Sequence, residues 1–357
     1  MHVTEHEHHT TDENLLDDLV CAKRYRIERV LAEGTTGHVF RARRLLDGRA
    51  VVLKCGSKDS EMARTSLRAE ARALAALDHP NIVRFFEHRE GSDICFLAME
   101  HLDGTDLAAR IRTGNVTRAQ AMLWLEELAS ALDHVHAVGL VHRDIKPANV
   151  MIVRASDGVE HAVLVDFGLA SPRVSRKGRS RFLCGTPAYM APEQALGNDA
   201  EVTAASDRYA LAAVALELLS GQRPYPNASV PELLRMVIET APRAASELGD
   251  FGESVDAVFA RGLARDPRVR FTTAWALVDA LQRALDEGHR ALDEGHRSAP
   301  RKASAGRASL AKSGASAGVG KATVKAARPS DAKAPIPLSA RRTRPSQRPV
   351  LVRAKAA

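Results

Sequence analysis

His142-Arg-Asp-Ile-Lys-Pro-Ala-Asn149 sets a carboxylate, a cation and an amide within eight residues. Downstream, Asp166-Phe-Gly168 follows an apolar run, Ala162 to Val165, that reads as a strand. Far upstream, Lys54 closes another strand, Ala50-Val-Val-Leu-Lys54. Transfer of a phosphoryl group calls for this set of groups. A carboxylate orients the attacking hydroxyl, oxygen ligands hold Mg²⁺, and cations keep the polyphosphate in line.

Outward from that centre, the chain is sheet-like before it and helical after it. Tyr25 to Ala32 and Val39 to Leu45 are short apolar runs broken by Gly34 and Gly37. Asp47-Gly48 is a turn signal that joins the second run to Ala50–Lys54 as a hairpin. Leu67, Leu74 and Leu77 predict a helix over Ser66 to Leu77, stopped by His79-Pro80-Asn81. After a strand at Phe96 to Glu100, helices are predicted over Ala119–Val138, Tyr209–Leu219, Pro231–Thr240, Glu253–Ala264 and Thr273–Asp286. Ala284 to Arg290 (ALDEGHR) recurs unchanged as Ala291 to Arg297, a duplication expected to extend the last helix.

With the motifs in this order, the chain resembles a eukaryotic-type protein kinase of the serine/threonine class over about residues 25–286. The resemblance implies an α+β, two-lobed protein kinase fold. A small antiparallel-sheet N-lobe with one key helix (25–99) meets a hinge (100–103) and a larger, mainly helical C-lobe (104–287). It implies ATP as phosphoryl donor, Mg²⁺ with Mn²⁺ as the alternative ion, and protein acceptors. By that resemblance Asp144 is the catalytic base, and Lys146 touches the transferred phosphate. A lysine two residues after the aspartate resembles the serine/threonine class. Asn149 and Asp166 would hold the metal. Lys54 would bind the α- and β-phosphates with Glu70 as its partner, in a helix whose Leu74 packs towards Phe167. Leu31, Val39, Val52 and Met151 would enclose the adenine, Met99 would close the back of the pocket, and Glu100 and Leu102 would offer hinge backbone groups. Asp106 would meet the ribose, and Gly34 and Gly37 would line the phosphates.

The same resemblance extends to the acceptor side. Ala191-Pro-Glu193 closes a segment that opens at Asp166, with Gly185-Thr-Pro-Ala-Tyr-Met before it. Glu193 is expected to pair with Arg270, and Asp207 to brace the catalytic loop. Arg143 needs a counter-charge, which a phosphate on the activation segment supplies in related kinases. Ser171, Ser175, Ser180 and Thr186 are the candidates for autophosphorylation, in a stretch crowded with Arg173, Arg176, Lys177, Arg179 and Arg181. Two positions depart from the family pattern. Ala32 replaces the first glycine of the phosphate loop, and Val52 replaces the alanine usual above the adenine, so weaker ATP binding is expected. The alternative is a catalytically weak or inactive nucleotide-binding scaffold. Such chains have usually lost the lysine, the base or the metal-binding aspartate, and Lys54, Asp144 and Asp166 are all present. Small-molecule kinases of similar fold lack the Ala191-Pro-Glu193 segment.

Composition bounds the rest. Of the chain's +7, residues 298–357 carry +13 (fourteen Lys/Arg against Asp331), so residues 1–297 carry −6. That basic stretch, rich in Ala, Ser, Gly and Pro, is expected to be disordered. It has no aromatic residue for base stacking, so any binding of nucleic acid or another acidic partner would be independent of sequence. A solubilising or protein-docking tail is the other reading. Residues 1–24 form a polar leader, expected to be disordered, in which His6, His8 and His9 could bind a metal. Residues 288–297 form the repeat extension. No run approaches the ~20 apolar residues of a membrane span, and no secretory signal opens the chain. Cys21, Cys55, Cys95 and Cys184 are far apart with no zinc spacing, which favours reduced thiols and a cytoplasmic protein.

Overall fold

The computed structural model describes residues 24–34, 37–57, 59–90, 94–172 and 187–298. Two units divide the chain, Met1–Pro300 and Arg301–Ala357, and every described residue belongs to the first. The leader up to Lys23, the tail from Ala299, Ser175, Ser180, Cys184 and Thr186 lie outside the described residues.

Strands β1 (Tyr25–Gly34), β2 (Gly37–Arg44), β3 (Ala50–Ser57), β4 (Phe85–Glu90) and β5 (Ile94–Glu100) form one antiparallel sheet in the order β1-β2-β3-β5-β4. Side-chain alternation sorts β3 into two faces. Val51, Leu53 and Cys55 join Tyr25, Phe40, Phe96 and Ala98 in a core on one face. Val52 and Lys54 point the other way. Cys95, Leu97 and Met99 of β5 face the helix α1 (Glu61–Ala75) and share a core with its Leu67, Ala71 and Leu74. Cys55 and Cys95 are therefore buried on opposite faces of the sheet.

The bounds of α1 and β3 differ from the sequence reading for local reasons. Helix α1 begins at Glu61 rather than Ser66, because Ser60 caps it: its Oγ accepts from Ala63 N at 3.2 Å. Strand β3 does not close at Lys54 but runs to Ser57, since β5 continues to supply partners as far as Ser57↔Ile94. Lys54 consequently sits mid-strand, where both neighbouring strands hold it.

Past the hinge, β6 (Gly104–Asp106) leads into α2 (Leu107–Thr113) and α3 (Arg118–Ala137). The short strand β7 (Leu140–Val141) comes next, and then β8 (Val150–Arg154) and β9 (Glu160–Leu164) complete a second sheet in the order β6-β8-β9. Ser171–Pro172 (β10) pairs with β7, with Ser171 opposite Val141. Beyond the undescribed stretch come α4 (Pro192–Ala195), α5 (Ala204–Ser220), α6 (Val230–Glu239), α7 (Glu253–Gly262) and α8 (Ala274–Ser298). Helix α5 is apolar on most sides and almost wholly buried, as a helix with no polar face must be. Thr203 caps its start and Gly221, left-handed at φ 73°, ends it. It starts five residues before Tyr209 because that cap precedes an alanine-rich turn. Helix α8 runs twelve residues past Asp286, through Gly288 and Gly295; about 1 kcal/mol per glycine does not end it.

Candidate active site

The cleft between the two sheets collects the residues singled out in the sequence. The register sets Val39 opposite Lys54, Val52 opposite Met99, and Asp106 opposite Met151. Met99 is buried, while Leu31 and Glu100 are exposed at the rim. The Glu100 amide donates to Arg84 O at 2.8 Å, so its hinge contribution is confined to its carbonyl. Asp106 has a structural duty as well: its Oδ1 accepts from Ala109 N at 2.7 Å and caps α2.

Lys54 is the hub of the cleft. Its Nζ donates to Glu70 Oε1 at 2.6 Å and to Asp166 Oδ1 at 2.9 Å, tying β3 to α1 and to the turn after β9. Burial opposes the lysine's charge, but the two carboxylates outweigh it and its pKa is raised. Burial likewise opposes charge on Asp166, and Lys54 reverses that, holding its carboxyl below the usual range.

Asp144 is gripped from two sides. Lys146 Nζ donates to Oδ2 at 2.7 Å, and Asn149 Nδ2 donates to Oδ2 at 3.0 Å and to the Asp144 carbonyl at 2.8 Å. The loop carrying it is pinned by Asp207, whose Oδ2 accepts from His142 N and whose Oδ1 accepts from Arg143 N, both at 2.8 Å. His136 Nε2 meets the same Oδ2 at 2.8 Å. Arg143 (φ 72°) and Asp166 (φ 64°) are the described non-glycine residues with positive φ. Such backbone costs on the order of 1–3 kcal/mol each and persists where surroundings over-determine it. Removing Asp207 leaves the buried His142 amide unsatisfied, at ~1–3 kcal/mol, and frees the half-buried Arg143 amide. Asp207→Ala is accordingly expected to lower the urea midpoint markedly; an unchanged midpoint would show that the loop holds itself.

His142 is buried, with its ring 4.6 Å from that of Phe167, which is also fully buried. Burial lowers the pKa of His142 and, less deeply set, of His79, His88 and His101. A base with a depressed folded pKa binds fewer protons folded than unfolded. Its stabilising effect is present above the ordinary histidine value of about 6.5 and is lost as pH falls. Urea midpoints should drop between pH 7.5 and pH 5.5, and equal midpoints would count against this assignment.

Other placements refine the sequence reading. Gly37 (φ 137°) is required less by phosphate than by the sheet, because a Cβ there would lie 1.9 Å from Cys55 O. Arg143 reaches Asp199 Oδ1 with Nη1 at 3.6 Å, an acidic neighbour that no sequence signal near Arg143 announces. Glu193 and Arg270 form a buried, two-pronged pair, with Nη1–Oε1 and Nη2–Oε2 both at 2.8 Å. Ser171 is held as backbone in β10, and the other three phosphorylation candidates lie outside the described residues.

Comparison with known proteins shows the family. The family model described as "Protein kinase domain" matches residues 25–281. Serine/threonine-protein kinase PknD of Mycobacterium tuberculosis is 36% identical over 271 residues, covering 73% of this chain and 40% of PknD. PknJ of Mycobacterium bovis is 34% identical over 272 residues, covering 74% and 46%. PknH of Mycobacterium bovis is 36% identical over 270 residues, covering 74% and 44%. The aligned region thus spans less than half the length of these curated relatives.

Proposed function

The chain belongs to the eukaryotic-type serine/threonine protein kinase family, and we propose that it transfers the γ-phosphoryl group of ATP to serine and threonine hydroxyls of proteins. The observation that carries the reading is the Lys54 ammonium, shared between Glu70 and Asp166 beside an Asp144 held by Lys146 and Asn149. In this reading the cations would meet the polyphosphate and the carboxylate the acceptor hydroxyl. Asp144 takes the hydroxyl proton as the oxygen bonds to the γ-phosphorus, and the bond to the β–γ bridging oxygen breaks to release ADP.

Asn149 and Asp166 are the residues that would hold a divalent ion, and their donors fit. Asn149 turns its Nδ2 to Asp144 and Asp166 gives Oδ1 to Lys54, which leaves Asn149 Oδ1 and Asp166 Oδ2 as hard oxygen ligands. Magnesium, the ion we favour over manganese, would supply charge neutralisation for the phosphates. Val52 opposite Met99 narrows the adenine site, and Ala32 opposite Val39 adds a methyl to the phosphate loop. Ala32→Gly should tighten ATP binding without altering the rate at saturating ATP; a changed maximal rate would place Ala32 in the chemistry instead.

The domain we assign to this activity is residues 25–287, with 100–103 as its hinge, acting in the cytoplasm. No helix of the described residues is long and apolar enough to cross a membrane. Activation-segment autophosphorylation belongs to the same proposal, with Ser171, Ser175 and Ser180 as the leading sites. The comparisons lend no support to nucleic-acid binding by residues 298–357, and nothing in them favours an inactive scaffold. Lys54→Met should reduce phosphate incorporation by about a hundredfold while thermal unfolding stays cooperative; undiminished incorporation would overturn the reading.

A further inference from the structure

On one face of the β1–β2 ribbon, arginines stand opposite arginines. Arg26 pairs with Arg43, and Arg29 with Arg41, in the antiparallel register. Directly opposed residues project to the same face, and like charges so placed repel. Among the described residues, one acid is ion-paired to any of these four guanidiniums. Glu28, at the irregularity between Ile27 and Arg29, lies 3.1 Å from Arg41 Nε and 2.9 Å from Arg43 Nε. Arg41 and Arg43 thus share one carboxylate between them. Arg26 and Arg29 are exposed and have no ion pair among the described residues. Arg41 also lies opposite Val52, so this face borders the roof of the cleft.

We propose that this arginine face is the docking surface for the chain's own acidic leader, residues 1–23. The leader carries Glu5, Glu7, Asp12, Glu13, Asp17 and Asp18 against Lys23 alone. It joins the sheet at β1, an edge strand that carries two of the four arginines. Asp17 lies eight residues before Tyr25, about 25 Å of extended chain. The stretch from Tyr25 to Arg29 spans only about 15 Å, so the leader can fold back along β1. Tethering raises the local concentration of its carboxylates to the millimolar range, which offsets the weakness of single exposed ion pairs. The proposal is independent of phosphoryl transfer.

The test uses a labelled synthetic peptide of residues 1–23 and full-length chains, read by fluorescence anisotropy in low salt. One chain carries E5Q, E7Q, D12N, E13Q, D17N and D18N, which frees the surface. The peptide should bind this chain at least tenfold more tightly than wild type, whose own leader competes. Adding Arg26→Gln with Arg43→Gln, or separately Arg29→Gln with Arg41→Gln, should weaken binding at least tenfold. Raising the salt should weaken it as well. Absent binding overturns the proposal, as does equal binding to wild type. Binding that survives both arginine pairs, as capture by the basic residues 298–357 would, also overturns it.

Discussion

Phosphate transfer should fall by about a thousandfold when Asp144 is replaced by asparagine, with ATP binding retained. The substitution preserves shape, so Asn149 can still donate to the residue's backbone carbonyl, now at 2.8 Å. What disappears is an anion able to accept the hydroxyl proton and to hold Lys146, now 2.7 Å from Oδ2. Lys54, Glu70 and Asp166 form a separate ion-paired group that joins β3 and α1 to the turn after β9. A thermal shift with Mg²⁺ and ATP should therefore persist in the variant while single-turnover transfer collapses. Transfer within tenfold of wild type would mean that Asp144 only positions its loop.

The second large effect concerns stability. Arg270 and Glu193 are both buried, and the guanidinium also donates to Ala264 O at 2.7 Å, Ala205 O at 3.0 Å and Arg265 O at 3.1 Å. Ser206 Oγ donates to Glu193 Oε1 at 2.7 Å. Every strong donor and acceptor of the pair is thus engaged, and removing either partner strands a buried charge. Such losses cost about 3–5 kcal/mol. Arg270→Met should lower the free energy of unfolding in urea by that amount. Glu193→Leu with Arg270→Met together should cost less than the two single changes added, because no charge is left unpaired. Additive losses would show that each side chain acts through separate contacts.

Legibility followed the range of the interactions. Asp144, Asn149 and Asp166 sit in short local stretches that carry the family resemblance, and their roles followed from it. Lys54 could be read from its strand, but its partner Glu70 followed only from the family resemblance. The pair spans two elements, and one carboxylate on a helix looks like another. Asp207 likewise lies far along the chain from the two amides it holds. The cap at Ser60 moved a helix start because one hydroxyl outweighs the apolar spacing that begins later. The reason for Gly37 was hidden for another cause: its neighbour, the Cys55 carbonyl, is backbone and leaves no trace in residue type. Asp199 beside Arg143 is the clearest gap, since an exposed acid in a loop carries no pattern before the fold brings the two within 3.6 Å.

The most direct test is incorporation of labelled phosphate from ATP with Mg²⁺ by the purified full chain, into itself and into a generic basic protein, followed by phosphoamino-acid analysis. Phosphoserine and phosphothreonine are expected with wild type, and none above background with Asp144→Asn. A clear thermal shift with ATP but no incorporation by wild type would contradict the proposed activity, and would leave a fold that holds the nucleotide without using it.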